Sequence, residues 1–259
     1  MNDLLQLKDK YVVIMGVANS RSIAWGVARS LHEAGAKLIF TYRKERSLKK
    51  LNKLLEEQGV QAELVLPCDV NEDESIEQTF KQIGEEVGSI YGVVHSIAFA
   101  HAEDLKGDFI DTSRSGFAYA QDTSAYSLVA VTKAARPLMT EGGAILAMSY
   151  LGAERVVGGY NVMGVAKASL EASVKYLASE VGQSGIRVNA ISAGAIRTLS
   201  AKGVGSFNTI LHEIEEKSPL RKNVTQEEVG DMSMAMLSHL SRGVTGEIVY
   251  VDSGYNILG

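Results

Sequence analysis

Short apolar runs alternate along the chain with longer stretches in which apolar residues recur every three or four positions. Tyr11–Met15 is the first run; it is rich in β-branched residues, is closed by Gly16, and predicts a buried strand. Further strands are predicted at Lys37–Tyr42, Ala62–Pro67, 91–95, 144–148, 187–191 and 247–251. Helical patterns fill the intervals 23–34, Glu45–Gln58, 72–87, 115–139, 160–181 and 226–240. In the third interval, acidic and following strand three, Ile76, Phe80, Ile83 and Val87 mark one face.

This alternation predicts an α/β fold, a single Rossmann-like doubly wound parallel sheet of about seven strands covered on both faces. Right-handed crossovers leave few other arrangements, and no linker divides residues 1–259 into two domains. One stretch breaks the rhythm. Residues 194–221 form a connection far longer than the usual ~2–6 residues, at the end of a strand, where a substrate lid is expected.

Composition narrows the class. A net charge of -5 argues against a general nucleic-acid or anionic-membrane surface. Cys68 is the only cysteine, so no intramolecular disulfide can form. No segment approaches the ~20 apolar residues that span a bilayer, and a cytoplasmic protein is expected.

The candidate chemistry begins with Tyr160 and Lys167. On a helix over 160–181 they return to within roughly 20° of one face, two turns apart. A phenol beside an ammonium suits hydrogen-bond donation to an oxygen that gains negative charge, and Tyr150 offers a second phenol. The alternative is that the pair merely flanks a packed helix. After strand one, Gly16 permits a tight turn, Ser22 can cap the next helix or donate to a phosphate, Ile23 opens that helix, and Gly26 allows the helix close to the sheet. This is not the G-x-G-x-x-G fingerprint, and an ordinary capped helix start remains the competing reading. Arg43 and Lys44 follow strand two, where basic side chains accommodate the extra phosphate of NADPH; a solvated charge cluster, or Glu45 as a ribose acceptor for NADH, are the alternatives. Asp69 and Val70 end strand three, suited to an adenine amino group and ring, and Ser96 and Ile97 end strand four beside the adenosine half.

With these motifs in place the whole chain resembles the enoyl-acyl-carrier-protein reductases of the divergent short-chain dehydrogenase/reductase type, the bacterial enzymes inhibited by triclosan. The specific blocks are the turn 16–26, His95-Ser96-Ile97, Ser149-Tyr150-Leu151-Gly152, Tyr160-Asn161-Val162-Met163-Gly164-Val165-Ala166-Lys167, Arg187-Val188-Asn189-Ala190-Ile191-Ser192-Ala193-Gly194 and Ile196-Arg197-Thr198-Leu199. The spacing of Tyr160 and Lys167 separates this group from ordinary short-chain dehydrogenases, whose tyrosine and lysine are four apart. The resemblance implies reduction of a trans-2-enoyl thioester on acyl carrier protein, with NADPH favoured and NADH possible. It implies a catalytic Tyr150, Tyr160 and Lys167, with Ala100, Tyr150 and Tyr160 facing substrate. Cofactor contacts are implied for Gly16, Ser22, Ile23, Asp69, Val70, Ile97, Lys167 and the backbone of Ile196, Arg197, Thr198 and Leu199. A mobile loop over 194–221 and a cytoplasmic homotetramer are implied as well. Two positions depart from the family: Ala195 stands where proline is usual, and Val157-Gly158-Gly159 precede Tyr160 where Asn or Pro is more usual, which loosens both turns.

Other classes fit less well. A carbonyl-reducing dehydrogenase shares the cofactor but not the tyrosine-to-lysine spacing, and a non-catalytic nucleotide sensor does not need both residues. His32, His95, His101, His212 and His239 are scattered without metal-ligand spacing, Cys68 reads as a small buried residue, and no Gly-x-Ser-x-Gly elbow is present.

Overall fold

Along β1 (Tyr11–Met15), Val13 and Met15 enter one apolar core while Val12 and Ile14 enter another. This period-two division is that of a strand buried on both faces. β4 (Gly92–His95) divides in the same way at Val93 and Val94, and β5 (Gly143–Ser149) at Ile145 and Leu146. With β2 (Lys37–Tyr42), β3 (Ala62–Pro67), β6 (Ile186–Ala193) and β7 (Ile248–Val251) they form one seven-stranded sheet in the order β3-β2-β1-β4-β5-β6-β7. Every neighbouring pair is parallel. The computed structural model describes residues 4–198 and 207–258, the Phe207 side chain excepted.

Helices α3 (Asp73–Val87), α5 (Ser127–Ala135) and α6 (Val162–Val181) seal the first core. Helices α1 (Ile23–Glu33), α2 (Glu45–Gln58) and α8 (Gln226–Leu237) seal the second. The strand order reverses between β1 and β4, so the crossovers diverge there and leave a crevice at the carboxyl ends of the strands.

Four expectations are corrected. The pattern over 115–139 is not one helix: α4 (Arg114–Gln121) passes through a π turn, Asp122–Tyr126, into α5, and Pro137 sits in a closing 3-10 turn. Outside partners hold the π turn, since Asn71 donates to Asp122 and Thr123, and the Phe99 amide donates to Ser124. The helix expected from residue 160 starts at Val162, because Gly159 (φ 73°) and Asn161 (φ 40°) are both left-handed and Tyr160 between them rides a turn. The excursion 194–221, read as one long connection from strand six to the helix at 226, contains a helix of its own, α7 (Phe207–Lys217), whose Leu211 and Ile214 pack on Ala195. Gly26, expected to bring α1 to the sheet, instead admits α8: a Cβ there would lie 2.6 Å from the Gln226 carbonyl oxygen.

The reciprocal contact is as tight. A Cβ on Gly230 of α8 would lie 2.6 Å from the Gly26 carbonyl oxygen and 2.7 Å from Ser30 Oγ. Gly230→Ala is therefore expected to destabilise the protein by ~1–3 kcal/mol through overpacking. Thermal and urea unfolding measure this, and unchanged midpoints would mean that α8 shifts at no cost.

Candidate active site

The carboxyl ends of β1, β4, β5 and β6 surround a cleft of about 500 Å³. At the strand-order reversal Gly16 has φ 98°, and a Cβ there would lie 2.0 Å from the Ser96 carbonyl oxygen, so the turn after β1 lies bare against the end of β4. Ser22 shapes that turn. It occupies the N-cap position of α1 but makes no cap bond to the helix; its Oγ accepts from the Ala18 and Asn19 amides at 3.0 and 3.1 Å. Both bonds are accepted ones, so the Ser22 O–H proton is still available to a ligand. Gln226 fastens the turn from α8 by donating to the Ser20 and Ser22 carbonyls.

On the opposite wall β5 runs directly into Tyr150. Its ring meets Tyr160 edge-on, with centroids 4.9 Å apart and planes inclined by 70°. The Tyr160 ring in turn fills the space a side chain at Gly152 would need, since a Cβ there would lie 2.4 Å from Tyr160 Cδ1. Lys167 enters the same cleft from α6, buried, with its Nζ donating to the Met148 carbonyl at 2.6 Å. Tyr160 and Lys167 thus share a cleft, but not as two positions on one helix.

A narrower cavity of about 220 Å³ shares Gly16, Ala18, Ile97, Ala98 and Phe99 with the cleft and extends it past Arg43, Asp69 and Val70. Arg43 Nε donates to Asp69 Oδ2 at 2.7 Å, and Arg43 Nη2 to Tyr119 Oη at 3.3 Å. The cleft also brings together Ile23, Ser96, Ala100, Ile196 and Thr198. Lys44 and Arg197 line neither cavity: Lys44 precedes α2, and Arg197 reaches back to Asn208 of α7 at 2.6 Å. Leu199 lies outside the described residues.

A family model described as enoyl-(acyl carrier protein) reductase matches residues 16–256 of this chain. The chain belongs to that family. It is 64% identical over 253 residues to the NADH enoyl-[acyl-carrier-protein] reductase FabI of Bacillus cereus, covering 98% of this chain and 99% of that protein. It is 60% identical over 255 residues to the NADPH enzyme FabI of Staphylococcus aureus strain MRSA252, covering 98% and 100%. Among solved structures, the Bacillus cereus enoyl-acyl carrier protein reductase with NADP+ and indole naphthyridinone superposes with a TM-score of 0.96 at 64% identity, over 98% of each chain.

The electrostatics of this reductase site follow from burial. Removal from water pushes the Tyr150 phenol up to about 12, and the Tyr160 phenol is pushed up further by burial and then by Tyr150 and Glu171, so both remain protonated donors. Burial pulls the Lys167 ammonium down to about 8 against the opposing charge of Glu171. His95, on the wall behind, is pushed down to about 3 by burial and then by Lys167, so it is neutral and serves by bonding Ser127 Oγ through Nε2 at 2.8 Å.

Sequence reasoning passed over four residues that matter here. Gly152 was legible in the Ser-Tyr-Leu-Gly block and Glu171 in the one-turn spacing from Lys167, whereas Tyr119 and Gln226 carry no local signal of their roles. Because Gly152 makes room for the Tyr160 ring, Gly152→Ala is expected to displace that ring and lower kcat by about 100-fold. Steady-state kinetics beside a melting curve test it; wild-type turnover would show that the ring is not held by this contact.

Proposed function

We infer that the protein reduces the C2=C3 double bond of trans-2-enoyl thioesters carried on acyl carrier protein, with NADPH preferred over NADH, as the final step of the fatty-acid elongation cycle. The observation that carries this reading is the convergence of Tyr150, Tyr160 and Lys167 on one cleft with the bare Gly16 turn, in a chain of this family. The residues present fit a dinucleotide: Gly16 leaves no side chain in the turn, Ser22 keeps a free proton, and Asp69 stands at the far end.

When bound, the reduced nicotinamide supplies the hydride that adds to C3 of the substrate. Tyr160, protonated and half-buried, donates a hydrogen bond to the thioester oxygen as negative charge gathers there. C2 then takes a solvent-derived proton, and the hydride and proton together complete the reduction. Lys167, fixed to the Met148 carbonyl on the cleft floor, would hold the ribose hydroxyls of the cofactor and favours negative charge nearby, while Tyr150 packs against the Tyr160 ring and would face the acyl chain. The apolar side chains of Ala100, Leu105, Met163 and Ile210 in the cleft wall keep water from the reacting carbons.

The relatives name both cofactors, so the preference here rests on the basic pair after strand two, chiefly on Arg43, since Lys44 lines neither cavity. Arg43 is held by Asp69 and Tyr119 at the mouth of the adenosine cavity, and Ser47 on the first turn of α2 adds a hydroxyl beside it. Assembly as a homotetramer in the cytoplasm belongs to the same reading. It is supported by the family resemblance, by the 81% exposure of Tyr176 on α6, an aromatic side chain that an assembly would cover, and by described helices none of which is long and apolar enough to cross a membrane.

With crotonyl thioester, nicotinamide oxidation is expected with NADPH faster than with NADH, and little reaction with a β-ketoacyl thioester. Activity on the keto substrate alone would overturn the enoyl assignment. Replacing Arg43 by alanine is expected to raise KM for NADPH ~10-fold or more relative to NADH, the loss of one charge-assisted contact to the phosphate, and Lys44→Ala, outside both cavities, to raise it less; an unchanged ratio in both variants would remove both residues from that role.

A further inference from the structure

Two consecutive residues at the end of β5 are fastened to two residues one turn apart on α6. Lys167 Nζ donates to the Met148 carbonyl at 2.6 Å, and Ser149 Oγ donates to Glu171 Oε1 at 2.5 Å. All four residues are at most 8% exposed. A short hydroxyl-to-carboxylate bond withdrawn from water belongs to the strong class of hydrogen bonds. The next residue along β5 is Tyr150, so whatever holds Ser149 also sets where the Tyr150 and Tyr160 rings meet. The two fastenings differ in one respect. The Lys167 ammonium is shared with the cleft, whereas the Glu171 side chain, among the described residues, is hydrogen-bonded by Ser149 and has no place among the cleft-lining residues.

We propose that Glu171 is a positioning residue of this reductase, holding the Tyr150 end of β5 against α6 through Ser149 and supplying the negative charge that keeps the buried Lys167 an ammonium. The inference rests on the reading of Lys167 as the residue that holds the nicotinamide ribose.

The surrounding groups leave this part to Glu171. Facing Lys167 are His95 from β4 and the phenols of Tyr150 and Tyr160, all uncharged near neutral pH for the reasons given above. Burial draws Lys167 toward the neutral amine, and Glu171 is the group that opposes it. Facing Glu171 are Glu154 after the turn that follows Tyr150, Lys175 one turn further along α6, and Tyr250 of β7. Burial raises the Glu171 carboxyl above its ordinary range and Glu154 adds to the rise; the bond from Ser149, then Lys175 and Lys167, work against it and favour its charge. Removing either end of the Ser149–Glu171 bond therefore weakens the charge that supports Lys167.

The test uses the full-length protein as wild type, Lys167→Met, Glu171→Gln and Ser149→Ala. Dissociation constants for NADP+ and NAD+ are measured by calorimetry from about pH 6 to about pH 10, a range that brackets lysine deprotonation in this site, with kcat and KM in parallel. In the wild type, binding is expected to weaken as the pH rises through about 8, where the ammonium is lost. Lys167→Met is expected to bind weakly with no such step. Glu171→Gln and Ser149→Ala are both expected to bring the step to lower pH by about half to one unit, and to lower kcat severalfold with a smaller change in KM for the enoyl thioester. Melting curves establish that each variant is folded, and Ser149→Ala decides the matter if Glu171→Gln does not fold. A step at the wild-type pH in the folded variants, with the step absent in Lys167→Met, would overturn the proposal and leave Glu171 with packing alone. A wild-type pH profile in Lys167→Met would instead remove the reading of Lys167, and the proposal with it.

Discussion

A lysine ammonium taken out of water must be met by fixed partners or lose its proton, and this requirement organises the cleft. Lys167 is buried, and its answer is the Met148 carbonyl at 2.6 Å together with the negative charge of Glu171 one turn along α6. Both partners exist only if α6 lies against the end of β5, which is also what delivers Tyr150 to the cleft. The compromise leaves the ammonium near 8, mostly charged at neutral pH yet weakly enough held to respond to its surroundings.

A second constraint acts on the backbone. Tyr160 stands between left-handed Gly159 and Asn161, and its ring occupies space that Gly152 leaves open. A tyrosine on a helix would point where the helix axis dictates; one on a turn is aimed by the local backbone, here across Tyr150 and toward Lys167's cleft. Val157-Gly158-Gly159, which departs from the family's usual residues, supplies the flexible backbone that this turn uses, since Gly159 takes φ 73°. Ala195, the other departure, is buried against Leu211 and Ile214, so apolar packing of α7 takes over part of the constraint a proline ring would impose.

At the far end of the narrower cavity the charges are already paired. Arg43 and Asp69, both named from sequence as separate contacts, are bonded to each other at 2.7 Å, and Tyr119 holds the same guanidinium. Asp69 raises Arg43's affinity for its proton, which was never in doubt for arginine; the larger effect is orientation, since a guanidinium fixed through Nε presents its remaining N–H groups in a set direction. Among the described residues Lys44 has no such tether, which makes the two basic residues different in kind although adjacent in sequence.

Much of this was legible in the chain. Short β-branched runs between amphipathic helices determined a parallel sheet buried on both faces, because only strands feeding two cores can afford such continuous apolarity, and β1, β2, β3 and α2 have the bounds that the pattern predicts. The motifs at the strand ends named most of the residues that line the cleft, because in a parallel sheet the ends of successive strands meet at one edge. Tertiary structure decided what periodicity cannot carry. It broke 115–139 at a π turn held by Asn71 and Phe99, gave Gly26 to α8 rather than to the sheet, moved Tyr160 off the helix, and paired Arg43 with Asp69. Each of these depends on contacts between residues far apart in the chain or on single backbone angles, and a pattern of apolar and polar positions encodes neither.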